Sequence, residues 1–264
     1  MKNVIKISDN IFRTTTPYKD IFTTIYAIKG SCGWILFDSA SFDSDAEEYI
    51  RPFLEEVGAD ADSLKYVFIS HNHKDHAGGL TGFLKLYPSV TVLTRSQSLK
   101  ESLAGYNVVM PSDGDVIMDD FRVVAIPGHT IDSAGILDTR TNTLISGDSL
   151  QLYGIFGSQD WASNITLPVE HLGKIKMLRE MEIDRLLTAH DYHPYGYRAD
   201  GRAEVLKFLD ASVEPLLKLR GFILENPDAD DAKIREIYNA SDKIPTISER
   251  VVAAMRAAIK AGEI

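Results

Sequence analysis

Three imidazoles and a carboxylate fall within six residues of the stretch Ser70-His71-Asn72-His73-Lys74-Asp75-His76-Ala77-Gly78-Gly79. The stretch follows the apolar run Leu64 to Ile69, which reads as a buried strand that ends in this loop. In an extended segment side chains alternate between faces, so His71 and His73 can point the same way and share one cation. Asp75 keeps that alternation where the chain turns into a helix, and with His76 it can serve a neighbouring ion. Two metals a few ångströms apart fit this spacing better than one. Imidazole and carboxylate donors together suit zinc, manganese or iron rather than calcium or magnesium.

Such donors need strands to hold them, and the chain supplies them at strand ends. The first forty residues read as antiparallel sheet, Val4 to Ile7, Ile11 to Thr14, Ile21 to Ile28 and Trp34 to Phe37, the last ending in Asp38-Ser39-Ala40. Asp38 is either an Asx-type turn former or the acceptor that fixes the tautomer of a metal-bound histidine. Asp43 to Val57 reads as a helix with Ser44 and Glu47 in capping-box spacing and Ile50, Phe53, Leu54 and Val57 inward. His76 to Tyr87 reads as a second helix, with Gly78 and Gly79 placed for close backbone approach. Val90 to Leu93, a helix near Gln97 to Leu103, Val108 to Met110 and the hairpin 115–118/121–126 follow. That hairpin ends in Pro127-Gly128-His129-Thr130. The strand Thr143 to Ser146 ends in Gly147-Asp148, and Leu186 to Ala189 ends in His190-Asp191. Five of the seven histidines lie at these strand ends, a convergence that a set of unrelated turn histidines does not produce.

Length and composition set the frame. A chain of 264 residues with 44% hydrophobic and 25% charged residues buries a full globular core, as one large domain or a domain with an appendage. The formal charge of −10, with no cluster of Lys or Arg, argues against a nucleic-acid surface. The start, Met1 to Lys6, has no signal-peptide core and no apolar run reaches membrane length, so a cytoplasmic protein without membrane attachment is expected. Cys32 is the single cysteine; it is a reactive thiol or, more simply, a turn residue between Ser31 and Gly33.

In order and rough spacing, His71-x-His73-x-Asp75-His76, Pro127-Gly128-His129-Thr130, Gly147-Asp148 and His190, with the early strand Leu36-Phe37-Asp38-Ser39, resemble the metallo-β-lactamase-fold superfamily over about residues 1 to 195. The resemblance implies a four-layer αββα sandwich of two mixed β-sheets flanked by helices, with a catalytic domain over 1–199. It implies that His71, His73 and His129 hold one metal, Asp75, His76 and His190 a second, and that Asp148 bridges them. The expected cofactors are two divalent ions, zinc first, with manganese or iron as alternatives. The implied activity is hydrolysis, of a small ester, thioester, lactone or phosphodiester, by water that the metals activate, with Asp75 as the residue that orients the nucleophile or shuttles a proton. Two departures concern the substrate. Ala189 stands where many members have glycine before the last histidine, and Asp148 together with the missing leader argues against antibiotic hydrolysis.

Substrate contacts are sought in Ser149 to Gly157 and in Tyr192-His193-Pro194-Tyr195, where Tyr153, Tyr192 and Tyr195 could donate to an oxyanion or only pack loops. His193 is read as an outer support or a surface residue, and His171, inside the helical pattern Leu167 to Met181, as structural. Residues 200–264 read as helix after helix: Val205, Leu206, Leu209, Val213, Leu216 and Leu217 recur at helical spacing, and Thr246 with Glu249 forms a capping box. This extension caps the site or forms a homodimer surface. Two other readings stand beside the hydrolase: an iron oxidoreductase similar to persulfide dioxygenases, which share the motif with one iron, and a regulatory protein with a vestigial site.

Overall fold

The structure, a computed structural model, describes residues 4–158, 160–241 and 247–264. Its class is α/β, with two mixed β-sheets, helices, and a helical C-terminal stretch, as the sequence predicts. The chain divides into two compact units, Met1–Ala125 with Ala134–Arg140, and Ile126–Ser133 with Thr141–Ile264.

In the first unit, β1 (Ile5–Lys6), β2 (Ile11–Tyr18), β3 (Ile21–Gly30) and β4 (Gly33–Phe37) pair antiparallel. Pairing then switches to parallel through β5 (Leu64–Ile69), β6 (Thr91–Thr94) and β7 (Val108–Val109), giving a seven-stranded mixed sheet in the order β1 to β7. Parallel neighbours need crossovers. These are α1 (Arg51–Val57), then α2 (Lys74–Ala77) with α3 (Leu80–Leu86), then α4 (Gln97–Ser102). The predicted stripes are the buried ones: Ile50, Phe53 and Leu54 from the first crossover and Leu80, Phe83 and Leu84 from the second share one core with Leu36, Val67 and Val92. A separate antiparallel ladder joins β8 (Val116–Ile117), β9 (Phe121–Ala125) and β10 (Ala134–Asp138).

Because β4 and β5 run parallel with Phe37 opposite Phe68, both end at the same edge. That edge sets Asp38 beside Ser70, with the Asp38 amide donating to Phe68 O at 2.8 Å. Asp38 and Ala40 adopt φ of 65° and 63°, a left-handed conformation that costs a non-glycine residue roughly 1–2 kcal/mol. Hydrogen bonds from Ser39 N to His76 O (2.7 Å) and from Gly79 N to Ala40 O (3.0 Å) hold the segment there.

Two helix expectations change. The Ser44/Glu47 capping box is not formed: Ala46–Ile50 is a π-helical turn ahead of α1, the cap position falls on Asp45, and the Glu47 carboxylate pairs with Arg51 instead. Asp45 turns its own carboxylate back to the amides of Ser41 and Phe42 at 3.0 and 2.9 Å. The second helix is two, broken at Gly78-Gly79. A Cβ on Gly78 would lie 2.2 Å from Ser41 O, and one on Gly79 2.2 Å from Ser39 O and 2.8 Å from Phe42 O. The glycines serve the close approach foreseen for them, against the 39–42 segment that carries Asp38. Gly79→Ala is therefore expected to lower unfolding stability by about 1–3 kcal/mol; an unchanged urea midpoint would show that this seam is not tight.

The second unit contains β11 (Thr143–Ile145), parallel to β12 (Arg185–Tyr192), which pairs antiparallel with β13 (Gly196–Asp200). α5 (Pro168–Glu180) precedes β12, and α6 (Arg202–Glu225), α7 (Asp231–Ala240) and α8 (Glu249–Ala261) close the chain. β13, short and half-exposed, was not foreseen. On α6, Val205, Leu209 and Leu216 are buried as predicted, whereas Leu217 is 54% exposed because it lies a step of about 100° round the helix from Leu216. Thr246 lies outside the described residues; the cap position of α8 is Ser248. Leu216, Leu219 and Ile223 of α6, with residues of α7 and α8, share a core with Ala162 and Ile165. Among the described residues no helix is long and apolar enough to cross a membrane.

Candidate metal centre

Each unit carries part of the expected ligand set. In the first, Asp38 is fully buried and accepts three hydrogen bonds: from Ser70 N (2.8 Å), Ser70 Oγ (3.0 Å) and His76 Nδ1 (2.7 Å). Burial pushes its carboxyl above the usual range, and His76 and Ser70 pull the other way. Ser70 Oγ spends its only proton on Asp38, so at 3.1 Å it accepts from His71 Nδ1. One carboxylate thereby sets two imidazoles, leaving the Nε2 of each neutral ring without a proton. His71 Nε2 faces His73 Nδ1 at 3.0 Å, and His76 Nε2 faces Asp75 Oδ2 at 3.3 Å. Asp75 also accepts from Thr23 Oγ1 of β3 at 3.1 Å.

In the second unit, the His129 ring donates from Nδ1 to Asn164 O at 2.8 Å; a carbonyl only accepts, so in the neutral ring Nε2 carries no proton. It faces Asp148 Oδ2 at 3.8 Å, and His190 Nε2 lies 3.3 Å from Asp148 Oδ1. The hydroxyl of Tyr192 donates to Asp148 Oδ1 at 2.9 Å. Asp148 follows Gly147, whose φ of 57° makes the turn out of β11.

These donor sets fit a divalent cation. Unprotonated ring nitrogens facing carboxylate oxygens in a buried setting are stabilised by a positive charge among them. Imidazole with carboxylate is the donor mixture of zinc, manganese and iron.

Six of the seven expected ligands stand in the loops and short helix that follow strands, with Asp38 behind two of them; His190 instead lies within β12, which runs on to Tyr192 rather than ending at Ala189. Tyr192 is buried and holds Asp148. Tyr153 is half-buried, and Tyr195 is 44% exposed with its ring 6.1 Å from that of Phe208. His171 is fully buried with Nε2 on Ser212 O, and His193 packs its ring 3.7 Å from that of Phe156, partial burial lowering its pKa. Four supporting residues went unread. Ser70 is visible only as the neighbour of His71. Thr23 is a buried polar residue on β3 and Gln151 a buried amide three residues past Asp148, while Asn164 contributes a backbone oxygen that no side-chain pattern announces. Asp38→Ala is expected to weaken metal binding about 10–100-fold, read by chelator competition; unchanged affinity would mean that Asp38 does not set the imidazoles.

Comparison with known proteins places the fold. Among curated relatives, a hydroxyacylglutathione hydrolase of Francisella tularensis subsp. holarctica is 30% identical over 147 residues, 53% of this chain and 54% of the relative. An atrochrysone carboxyl ACP thioesterase of Emericella nidulans is 30% identical over 154 residues, 57% of this chain and 42% of the relative. The chain thus spans about half the length of the curated relatives it matches. In fold it is similar to a metallo-beta-lactamase family protein from Thermus thermophilus, with a TM-score of 0.67 at 16% identity over 97% of this chain and 95% of that one. A flavo di-iron protein from Thermotoga maritima gives 0.63 at 17% identity over 90% and 71%. The αββα class implied by the motifs is the fold shared with these structures. With hydrolases among its relatives, the ligand motifs in place at the strand ends, and the family's sequence model matching residues 18–199, the chain belongs to the Metallo-beta-lactamase superfamily.

Proposed function

We propose that this chain is a dinuclear metal-dependent hydrolase of a small acyl thioester. The observation that carries the reading is a pair of ring nitrogens, His76 Nε2 turned toward Asp75 and His129 Nε2 toward Asp148, each ring fixed by a hydrogen bond on its far side. Membership of the superfamily supports the assignment of His71, His73 and His129 to one ion, Asp75, His76 and His190 to the other, and Asp148 to both. When bound, the ions supply an acidified water and polarise the scissile carbonyl.

The chain's own groups do the rest. Asp38 and the Asn164 carbonyl keep protons on the outward nitrogens of His71, His76 and His129, so the inward ones stay basic. Tyr192 steers Asp148. Asp75, steadied by Thr23, keeps a second oxygen to carry a proton toward the departing sulfur. A leaving thiol with a pKa near 8.5 needs little of that help, which favours thioesters over less activated esters. The relatives named as a hydroxyacylglutathione hydrolase and a thioesterase support the same class. The stretch 200–264 is read as an extension of a catalytic domain over 1–199, and its packing on Ala162 and Ile165 supports a role in shaping the loop that holds His129.

The test is metal analysis on protein purified without chelator, followed on the same sample by thioester, ester, lactone and phosphodiester substrates. About two zinc or manganese ions per chain with thioester turnover is expected. About one iron per chain with oxygen uptake on a thiol persulfide would overturn the reading in favour of an oxygenase.

A further inference from the structure

Gln151 lies three residues past Asp148 and is 4% exposed. Its amide nitrogen donates to the backbone oxygen of Asp148 at 3.1 Å and reaches the Tyr192 hydroxyl at 3.4 Å. That hydroxyl passes its own proton to Asp148 Oδ1. At its other end, Gln151 Oε1 accepts from the backbone nitrogen of Asn164 at 3.1 Å, and the carbonyl of Asn164 receives the His129 Nδ1 proton. One buried amide therefore ties three segments together: the turn after β11 with Asp148, the end of β12 with Tyr192, and the loop that fixes the tautomer of His129. A buried polar side chain with one end on the backbone of Asp148 and the other on that of Asn164 is costly to misplace, so it restrains both segments.

We infer that Gln151 is a positioning residue for the metal site, setting the tautomer of His129 through Asn164 and the seat of Asp148 directly and through Tyr192. The inference rests on the metal-site reading above, but its first consequence exists without any metal. The amide's two-sidedness is essential. Methionine at 151 fills similar space with neither donor nor acceptor. Glutamate keeps an acceptor for Asn164 and loses the donor toward Asp148.

The experiment uses the full chain stripped of metal, with long-range proton–nitrogen NMR of the histidine rings, and then titration with zinc against a competing chelator. In the parent, His129 carries its proton on Nδ1. Gln151→Met is expected to move His129 to a mixture of tautomers and to weaken zinc binding about 10–100-fold, the usual cost of losing an outer support of a ligand. Gln151→Glu is expected to retain the Nδ1–H form. If Gln151→Met keeps the parent tautomer, or binds zinc as tightly as the parent, the positioning role is wrong. A parent that shows the Nδ1–H tautomer and its loss in Gln151→Met, yet binds neither zinc nor manganese, would uphold the coupling to His129 and instead overturn the dinuclear hydrolase.

Discussion

Asp148→Ala is expected to hydrolyse substrate roughly 10²–10³-fold more slowly than the parent, matching the several kcal/mol of charge stabilisation that a lost metal ion forfeits. Asp148 is 7% exposed, faces the Nε2 atoms of His129 and His190, and is held by Tyr192. Its removal leaves two imidazoles without the negative charge that lets a dication sit beside them, and strands a buried hydroxyl, itself worth about 1–3 kcal/mol. Asp148→Asn separates charge from shape: it keeps an oxygen for Tyr192 and fills the same space. The expected result is that Asn falls nearly as far as Ala in kcat/KM and in metal per chain, while its circular dichroism stays that of the parent. An Asn variant with full metal content and full turnover would show that the carboxylate's charge is not what holds the ions.

What the sequence disclosed follows from how its signals are made. The candidate metal-binding residues were legible because their chemistry is local: histidine and aspartate crowd after β5, β9 and β11 and near the end of β12. Asp38 was legible only as a strand-end carboxylate, a turn former or an acceptor for a histidine, and the parallel pairing of Phe37 with Phe68 shows why it meets the end of β5. The supports were not legible. Asn164 acts through its backbone, Gln151 through a geometry that loops alone decide, and Thr23 from a strand far away in sequence. The same division explains the helices. Apolar periodicity located the buried stripes correctly, but the π-helical turn at Ala46–Ile50 and the break at Gly78-Gly79 depend on tertiary contacts with residues 39–45, which periodicity does not contain.

His171 gives the protein a further dependence, on acid. It sits fully buried on α5, donates from Nε2 to Ser212 O of α6 at 3.2 Å, and its Nδ1 has no hydrogen-bond partner among the described residues. Burial lowers its pKa to about 4, against the weaker opposing pull of the Ser212 carbonyl, and His129 nearby adds to the lowering. In the unfolded chain the same ring titrates near 6.5. Between those two values the unfolded chain binds a proton that the folded one refuses, so stability falls as pH drops from 6.5 toward 4 and is unaffected by this group above 6.5. At about 1.36 kcal/mol per pH unit the loss amounts to about 3 kcal/mol, a large share of the roughly 5–15 kcal/mol that a domain commonly has. The measurement is urea unfolding at pH 7.5, 6.5, 5.5 and 4.5 for the parent and His171→Gln, both held metal-free because metal affinity carries its own pH dependence. Glutamine can still donate to Ser212 but does not titrate in this window. The variant is expected to start somewhat less stable at pH 7.5 and to lose less on acidification, the difference in slope belonging to His171 whatever the other histidines contribute. Parallel slopes would mean that the ring is not held neutral between α5 and α6, and that the acid sensitivity of the fold has another source.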